Sequence, residues 1–367
     1  METKSSYIFT LNAVLVTVLL SLPVARSGGG SEPIPADASQ INSWFNKNVG
    51  DAASRKATLA PELAAAEANP KVIKVRADGS GDFKTINDAV KSIPDGNKNR
   101  VIVSIGPGKY KEKVTVGANK PFVTLRGDAG NMPTIVYDDT AKKSKGVVYS
   151  ATLSAESDYF SAVNLKVVNT APRPDGKMVD AQAVALKIIG KYASIYNCKL
   201  YGFQDTLFDD KGKHFYKDCY IEGTYDFIWG SAASIYLNTE LHIISGDPLA
   251  VIAANARSAS AEPNGYVFAH CKVTGTGAMG YLGRSWYPYA RVVYAFSDLG
   301  DAVNPDGWYT GTGKDNKTVY FGEYNNKGSA GKFDKRASFA KKLSDAEVKP
   351  FISLDFIQGS TWLLPPS

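Results

Sequence analysis

The chain has 367 residues, with 42 Lys and Arg against 36 Asp and Glu, a formal net charge of +6 and three cysteines. That length suffices for a large core in one or two domains, and a long solenoid would count as one. The cations are scattered, which argues against a nucleic-acid groove and suits either retention on an acidic extracellular polymer or an ordinary basic surface; three cysteines make no disulfide framework, and no Cys/His spacing resembles a zinc site.

At the start of the chain, Lys4 precedes an apolar run from Leu11 to Val24 that reads as a secretory signal and is too short for a good membrane span. Small residues flank Arg26 in Ala25-Arg26-Ser27, so the mature chain is expected to begin near Gly28, after a signal over 1–27. No later segment is apolar enough to cross a bilayer. Residues 28–70 are polar and Ala-rich and are expected to form an arm with one or two short helices between Ser39 and Glu67 and little core. After a turn at Asp78-Gly79-Ser80-Gly81-Asp82, the residues Ile86, Ala89, Val90 and Ile93 fall on one face of a helix that could cover the open end of the next part of the chain.

Beyond this helix the chain is mostly strand. Val101, Val103 and Ile105 alternate with small or polar partners, and β-branched runs recur to about residue 275. Laid over one another they give a ragged repeat: Ala162-Val163-Asn164-Leu165, Ile195-Tyr196-Asn197-Cys198, Tyr216-Lys217-Asp218-Cys219, Tyr236-Leu237-Asn238-Thr239 and Phe268-Ala269-His270-Cys271. The intervals between their last residues are 33, 21, 20 and 32. A period near twenty with insertions is expected of a parallel β-helix whose coils carry loops, so the chain is read as all-β, a right-handed solenoid over 71–367. The cysteines Cys198, Cys219 and Cys271 then stack as small interior side chains, and a bond between Cys198 and Cys219 is left open. His214, His242 and His270 are widely separated and read as structural. Residues 303–335 read as long loops with a strand near Val319–Glu323. Asn316-Lys317-Thr318 fits a glycosylation acceptor on a surface loop, and Ser344-Asp345-Ala346-Glu347 is a capping box before a helix that folds back.

The repeat also brings chemistry together. Asp205 lies seven residues after Cys198 and Asp226 seven after Cys219, so the register places both carboxylates on adjacent rungs about 5 Å apart. Each could simply cap a turn. As a pair, one pKa is expected to rise and the other to fall, which supplies an acid and an ionised base or nucleophile at one pH. Gln204 and Gln182 offer two amide donors for an oxyanion, and Arg284 in Gly283-Arg284-Ser285-Trp286 can hold a carboxylate bidentately. Trp229 and Trp286 are candidate sugar-stacking platforms, although each aromatic alone is more often core than binding surface.

Five ordered segments resemble the plant pectin methylesterases: Gly108-Lys109-Tyr110-Lys111-Glu112, Gln182-Ala183-Val184-Ala185-Leu186, Gln204-Asp205-Thr206-Leu207, Asp226-Phe227-Ile228-Trp229-Gly230 and Leu282-Gly283-Arg284-Ser285-Trp286. The likeness runs from about Val72 to the C-terminus and is greatest to pollen-type members without a long inhibitor-like pro-domain. Trp229 stands where the family usually has Phe, and Ser285 where it often has Pro or Ala.

The resemblance implies that Asp226 is the nucleophile on a methyl-ester carbonyl and Asp205 the general acid and base, with Gln182 and Gln204 at the oxyanion and Arg284 on Asp226. It implies substrate contacts from Thr152, Gln182, Arg284 and Trp286, with Trp229 beside them. It implies methyl-esterified pectin as substrate, no metal or organic cofactor, a proteinaceous inhibitor as a partner, a secreted monomer in the cell wall, and no nucleic-acid or membrane partner. Three rivals stand beside it. A retaining glycosidase also uses carboxylates about 5 Å apart, though it needs no amide oxyanion donors. A polysaccharide lyase would want a calcium-binding Asp cluster that the chain does not display. A wall-binding β-helix without turnover would keep the same motifs.

Overall fold

The computed structural model describes residues 31–244, 249–277, 279–309, 311 and 316–366; the expected signal segment lies outside them. Strands such as Tyr192–Tyr196, Lys199–Tyr201 and Leu207–Asp209 succeed one another around a coil, and the next coil repeats the series with Lys213–Lys217, Tyr220–Gly223 and Ile228–Gly230. Each strand pairs in parallel with its counterparts in the neighbouring coils, giving one sheet of eleven strands and two of eight. They are the first sheet (with Tyr192–Tyr196), the second (with Leu207–Asp209) and the third (with Lys199–Tyr201). The product is a right-handed parallel β-helix. It continues past the last expected repeat, through Tyr281–Ser285 and Arg291–Ala295 to Tyr320–Tyr324 and Ala340–Lys342.

The repeat read from sequence matches the strand register: Ala162, Ile195, Tyr216, Tyr236 and Phe268 are successive partners. Inside the solenoid the rings of Tyr216, Tyr236, Phe268 and Tyr294 stack with centroid spacings of 4.3, 4.7 and 4.6 Å. Two places later in each repeat the chain turns through a left-handed residue: Asn164, Asn197, Asp218, Asn238 and His270 have φ between 47° and 58°. Asn and Asp tolerate that conformation better than most residues. The three cysteines, Cys198, Cys219 and Cys271, are buried and unbonded, and burial pushes the Cys198 and Cys271 thiols up to about 12.

A polar knot sits in the same interior. The Asp209 carboxylate accepts from Tyr216 Oη at 2.9 Å, from Ser234 Oγ and Tyr236 Oη at 2.6 Å each, and lies 2.5 Å from His214 Nδ1. His214 Nε2 faces Gly190 O at 2.8 Å, so this histidine is structural. Asp209→Ala should leave these buried donors unanswered and cost about 3–5 kcal/mol, read as a lower denaturant midpoint with an unchanged slope.

One end and one side of the solenoid are covered. The helix Ile86–Ser92, capped by Thr85, buries Ile86, Ala89 and Val90 in the solenoid core. The segment before Val72 carries more core than expected. Its helices Ile41–Asn48 and Pro61–Ala66 bury Trp44, Phe45 and Leu63 against the outer face of the first sheet and the C-terminal segment. Phe45 stacks on Phe215 at 5.8 Å, and Trp362 on Tyr192 at 5.3 Å. Binary patterning hides this because both faces of the first sheet are apolar, one against the interior and one against the arm. The capping box at Ser344 and Glu347 is formed, and starts a short helix over Asp345–Val348.

Candidate active site

The corner between the third and second sheets concentrates the titratable groups. Leu186, Leu207, Ile228 and Ala253 are register partners, so Asp205 and Asp226, each two residues before its strand partner, stand on adjacent rungs. Asp205 N–H donates to Tyr225 O at 3.2 Å, which ties the two corners together. Both aspartates are left-handed, at φ 65° and 52°, and both are nearly buried, at 8% and 6% exposure.

Their surroundings differ. Arg284 Nε donates to Asp226 Oδ1 at 2.7 Å and Nη2 donates to Oδ2, a bidentate ion pair. The guanidinium also lies 5.1 Å from the Tyr225 ring. Burial, and after it the charge of Asp226, pushes the Asp205 carboxyl well above its ordinary range, and Arg284 offsets a part. Burial raises Asp226 as well, against the Arg284 hydrogen bond and charge. The expectation that one pKa would fall is therefore corrected: desolvation exceeds the pull of Arg284, and both move up, Asp205 much further.

Arg284 reaches Asp226 from two coils away. Trp229, Ala254 and Arg284 are successive partners on the outer face of the second sheet, so the intervening rung carries only a methyl group beneath the guanidinium. Gly283 lets this strand lie close to the core, since a Cβ there would sit 3.2 Å from the Trp308 ring and 3.0 Å from Ala253 O. Ala254→Leu should lift Arg284 off Asp226. A displacement of about 1 Å at such a site costs on the order of 10²-fold in rate, so steady-state kinetics should show kcat falling, and an unchanged kcat would mean that Arg284 does not need this gap.

The flank on the preceding coil carries Gln182. Its Oε1 is buried without a hydrogen-bond partner, its backbone O accepts from Ala141 N at 2.8 Å, and Ala183 N–H donates to Gln204 O at 3.2 Å. Gln182, Gln204 and the two aspartates thus occupy three consecutive coils, and this line is the candidate substrate groove.

A family model for pectinesterases matches residues 72–360. The chain belongs to the pectinesterase family. It is 57% identical to "Pectinesterase 2" of Olea europaea over 97% of both chains. In structure it is similar to the pectin methylesterase from carrot, with TM-score 0.76 and 30% identity, covering 82% of this chain and 98% of that one. It is also similar to a pectin methylesterase in complex with a hexasaccharide, with TM-score 0.70 and 25% identity, covering 81% and 99%. As a pectinesterase the protein is a carboxylic ester hydrolase that demethylates pectin.

Two of the residues expected at the pectinesterase substrate are more buried than their motif positions suggest. Thr152 is wholly buried; its Oγ1 donates to Val168 O at 3.1 Å and its N–H to Val184 O at 3.1 Å, so its side chain joins coils and does not line the groove. Trp229 is 7% exposed, packed against Phe208 at 4.1 Å and Trp286 at 5.3 Å, and its Nε1 donates to Asp205 O at 3.3 Å. It is as buried as the two aspartates and supports Asp205 from beside it, and Trp286, half-buried and stacked on the exposed Tyr287, is the more open platform. Ser285 is buried, with its Oγ 3.1 Å from Asn316 Oδ1. Sequence reasoning missed the exposed Tyr149, Met178 and Val179, which sit on the two segments flanking Gln182. Their exposure in spite of their apolarity is the signal that structure adds.

Proposed function

We propose that Asp226 is the nucleophile of pectin demethylation and Asp205 its general acid and base. The observation that carries the reading is the asymmetry of the pair: two buried carboxyls on adjacent rungs, with a bidentate guanidinium on Asp226 alone. Asp226, kept ionised by Arg284, attacks the ester carbonyl carbon. The amide N–H groups of Gln182 and Gln204 take the charge on the carbonyl oxygen. Asp205, held protonated by burial and by its neighbour, gives its proton to the departing methoxide, and methanol leaves. The resulting acyl-enzyme anhydride is opened by water, whose proton returns to Asp205, and Asp226 departs as carboxylate.

The substrate is methyl-esterified homogalacturonan, lying along the groove against Trp286 and between the exposed apolar residues Tyr149, Met178 and Val179. An apolar rim suits a uronate polymer whose charges are masked by methyl groups. We place the enzyme among the pollen-type members, secreted to the cell wall, monomeric and open to a proteinaceous inhibitor. The segment likeness, the apolar run at the start of the chain and the covered first end of the solenoid support these readings. Glycosylation at Asn316 fits the partly exposed turn Asn316–Thr318.

The test is methanol release from highly methylated pectin by the purified chain in EDTA, with reducing ends and unsaturated products monitored in parallel. Methanol alone is the expected result. Reducing ends without methanol would point to glycoside hydrolysis, and no product from a folded sample to a wall-binding protein.

A further inference from the structure

The outer face of the third sheet divides its charges by position. Lys109, Thr134, Lys166, Lys199 and Tyr220 are successive register partners along one column, with Glu240 next in line. Lys111 begins the neighbouring column, which runs through Val136 and Val168 to Tyr201 and continues through Glu222 to His242 and Thr274. The early coils therefore present four lysines and no acid at these positions, whereas the later coils of the first column alternate Glu240, Lys272 and Asp298.

None of the ammonium groups of these four lysines makes an ion pair, hydrogen bond or ring contact among the described residues, and all four residues are exposed or partly exposed. Lys166 and Lys199 are direct partners on adjacent strands, about 4.8 Å apart along the backbone. Like charges in direct register repel, and sheets ordinarily avoid the arrangement or interleave an acid. The later coils of the same face do interleave, with Thr274 Oγ1 donating to Glu240 Oε1 at 2.8 Å and Tyr220 Oη to Glu222 Oε2 at 2.7 Å.

We propose that this lysine strip binds a demethylated stretch of polygalacturonate, the product of the neighbouring groove. The inference rests on the esterase reading for the identity of that polymer. A polyuronate freed of its methyl groups carries a carboxylate on each sugar, so a row of unpaired cations complements it, whereas fully esterified pectin has no charge to offer. Tyr201, partly exposed and 5.5 Å from Tyr220, adds a ring against which a sugar can lie. The strip is close to the chemistry: Lys199 is six residues before Asp205, no more than about 20 Å along an extended chain. A polymer processed in the groove can thus be retained by the part already demethylated.

The experiment compares the full chain with Lys166→Glu/Lys199→Glu for retention on immobilised polygalacturonate, across a salt series. A charge-matched control carries Lys335→Glu/Lys342→Glu, two exposed lysines elsewhere on the molecule. The strip variant should bind about tenfold more weakly at low salt, from the loss and reversal of several exposed pairs, with the difference closing as salt screens it. The control should bind like the parent. Equal binding by parent and strip variant would overturn the proposal, and so would an equal loss in the control, since net charge would then explain retention. The assay needs no ester, so an inactive enzyme can still pass it and an active one can still fail it.

Discussion

Asp226→Asn should abolish methanol release, by on the order of 10⁴-fold, while leaving the solenoid folded and the affinity for pectin close to that of the parent. An amide of the same shape keeps the contacts with Arg284 in number, although one of them turns from attraction to repulsion between N–H groups, and it offers a poor nucleophile. The left-handed backbone at φ 52° is tolerated by Asn as well as by Asp, so the change should not strain the corner. Burial itself favours the variant: a nearly buried carboxylate becomes a neutral amide, and the charge that helps hold the neighbouring carboxyl protonated disappears. Loss of the counter-charge of the mostly buried Arg284 opposes this gain, so unfolding midpoints should stay close to those of the parent, and the loss of rate cannot then be ascribed to loss of structure. A variant retaining most of its activity would refute the assignment of the nucleophile.

Much of this site was legible because the repeat sets the register, and the register sets the neighbours. With Cys198 and Cys219 aligned, Asp205 and Asp226 become partners, and the strand pairing agrees. Arg284 was legible as a guanidinium near glycine, but its route over Ala254 was not, because that depends on the one intervening coil carrying a small residue at this register position. Asn164, Asn197, Asp218 and Asn238 held an unread signal: a column of Asn and Asp at one repeat position marks a left-handed turn. The Asp209 knot could not be found this way. Its donors Tyr216 and Tyr236 look like aromatic core in any pattern, and only the three-dimensional stack turns their hydroxyls toward one carboxylate. The burial of Trp229 and Thr152 was hidden for a related reason, since motif position says which rung a residue occupies and not whether its side chain reaches the solvent.

Arg284→Ala should be the second most damaging change, and its diagnostic is the pH profile. In the parent, burial raises Asp226 while the Arg284 hydrogen bond and charge pull it down. Removing the guanidinium deletes both lowering influences and leaves burial unopposed, so the carboxyl of Asp226 titrates at higher pH. The nucleophile must be ionised, so activity on the acid side is lost at a higher pH than in the parent. Asp205 is also relieved of the lowering effect of Arg284, so the loss of its proton, which sets the alkaline limb, shifts upward too. Because the carboxyls are coupled, the two limbs belong to the pair and should move together. At neutral pH the rate should fall by about 10²–10³-fold, the size expected when a buried charge-assisted contact at the reacting group is lost. Arg284→Lys should recover little, since an ammonium restores charge but not the planar two-pronged contact through Nε and Nη2. The measurement is kcat/KM on methylated pectin across pH for parent, Ala and Lys variants. A uniform drop with the limbs unmoved would mean that Arg284 orients the substrate and has no part in keeping Asp226 ionised.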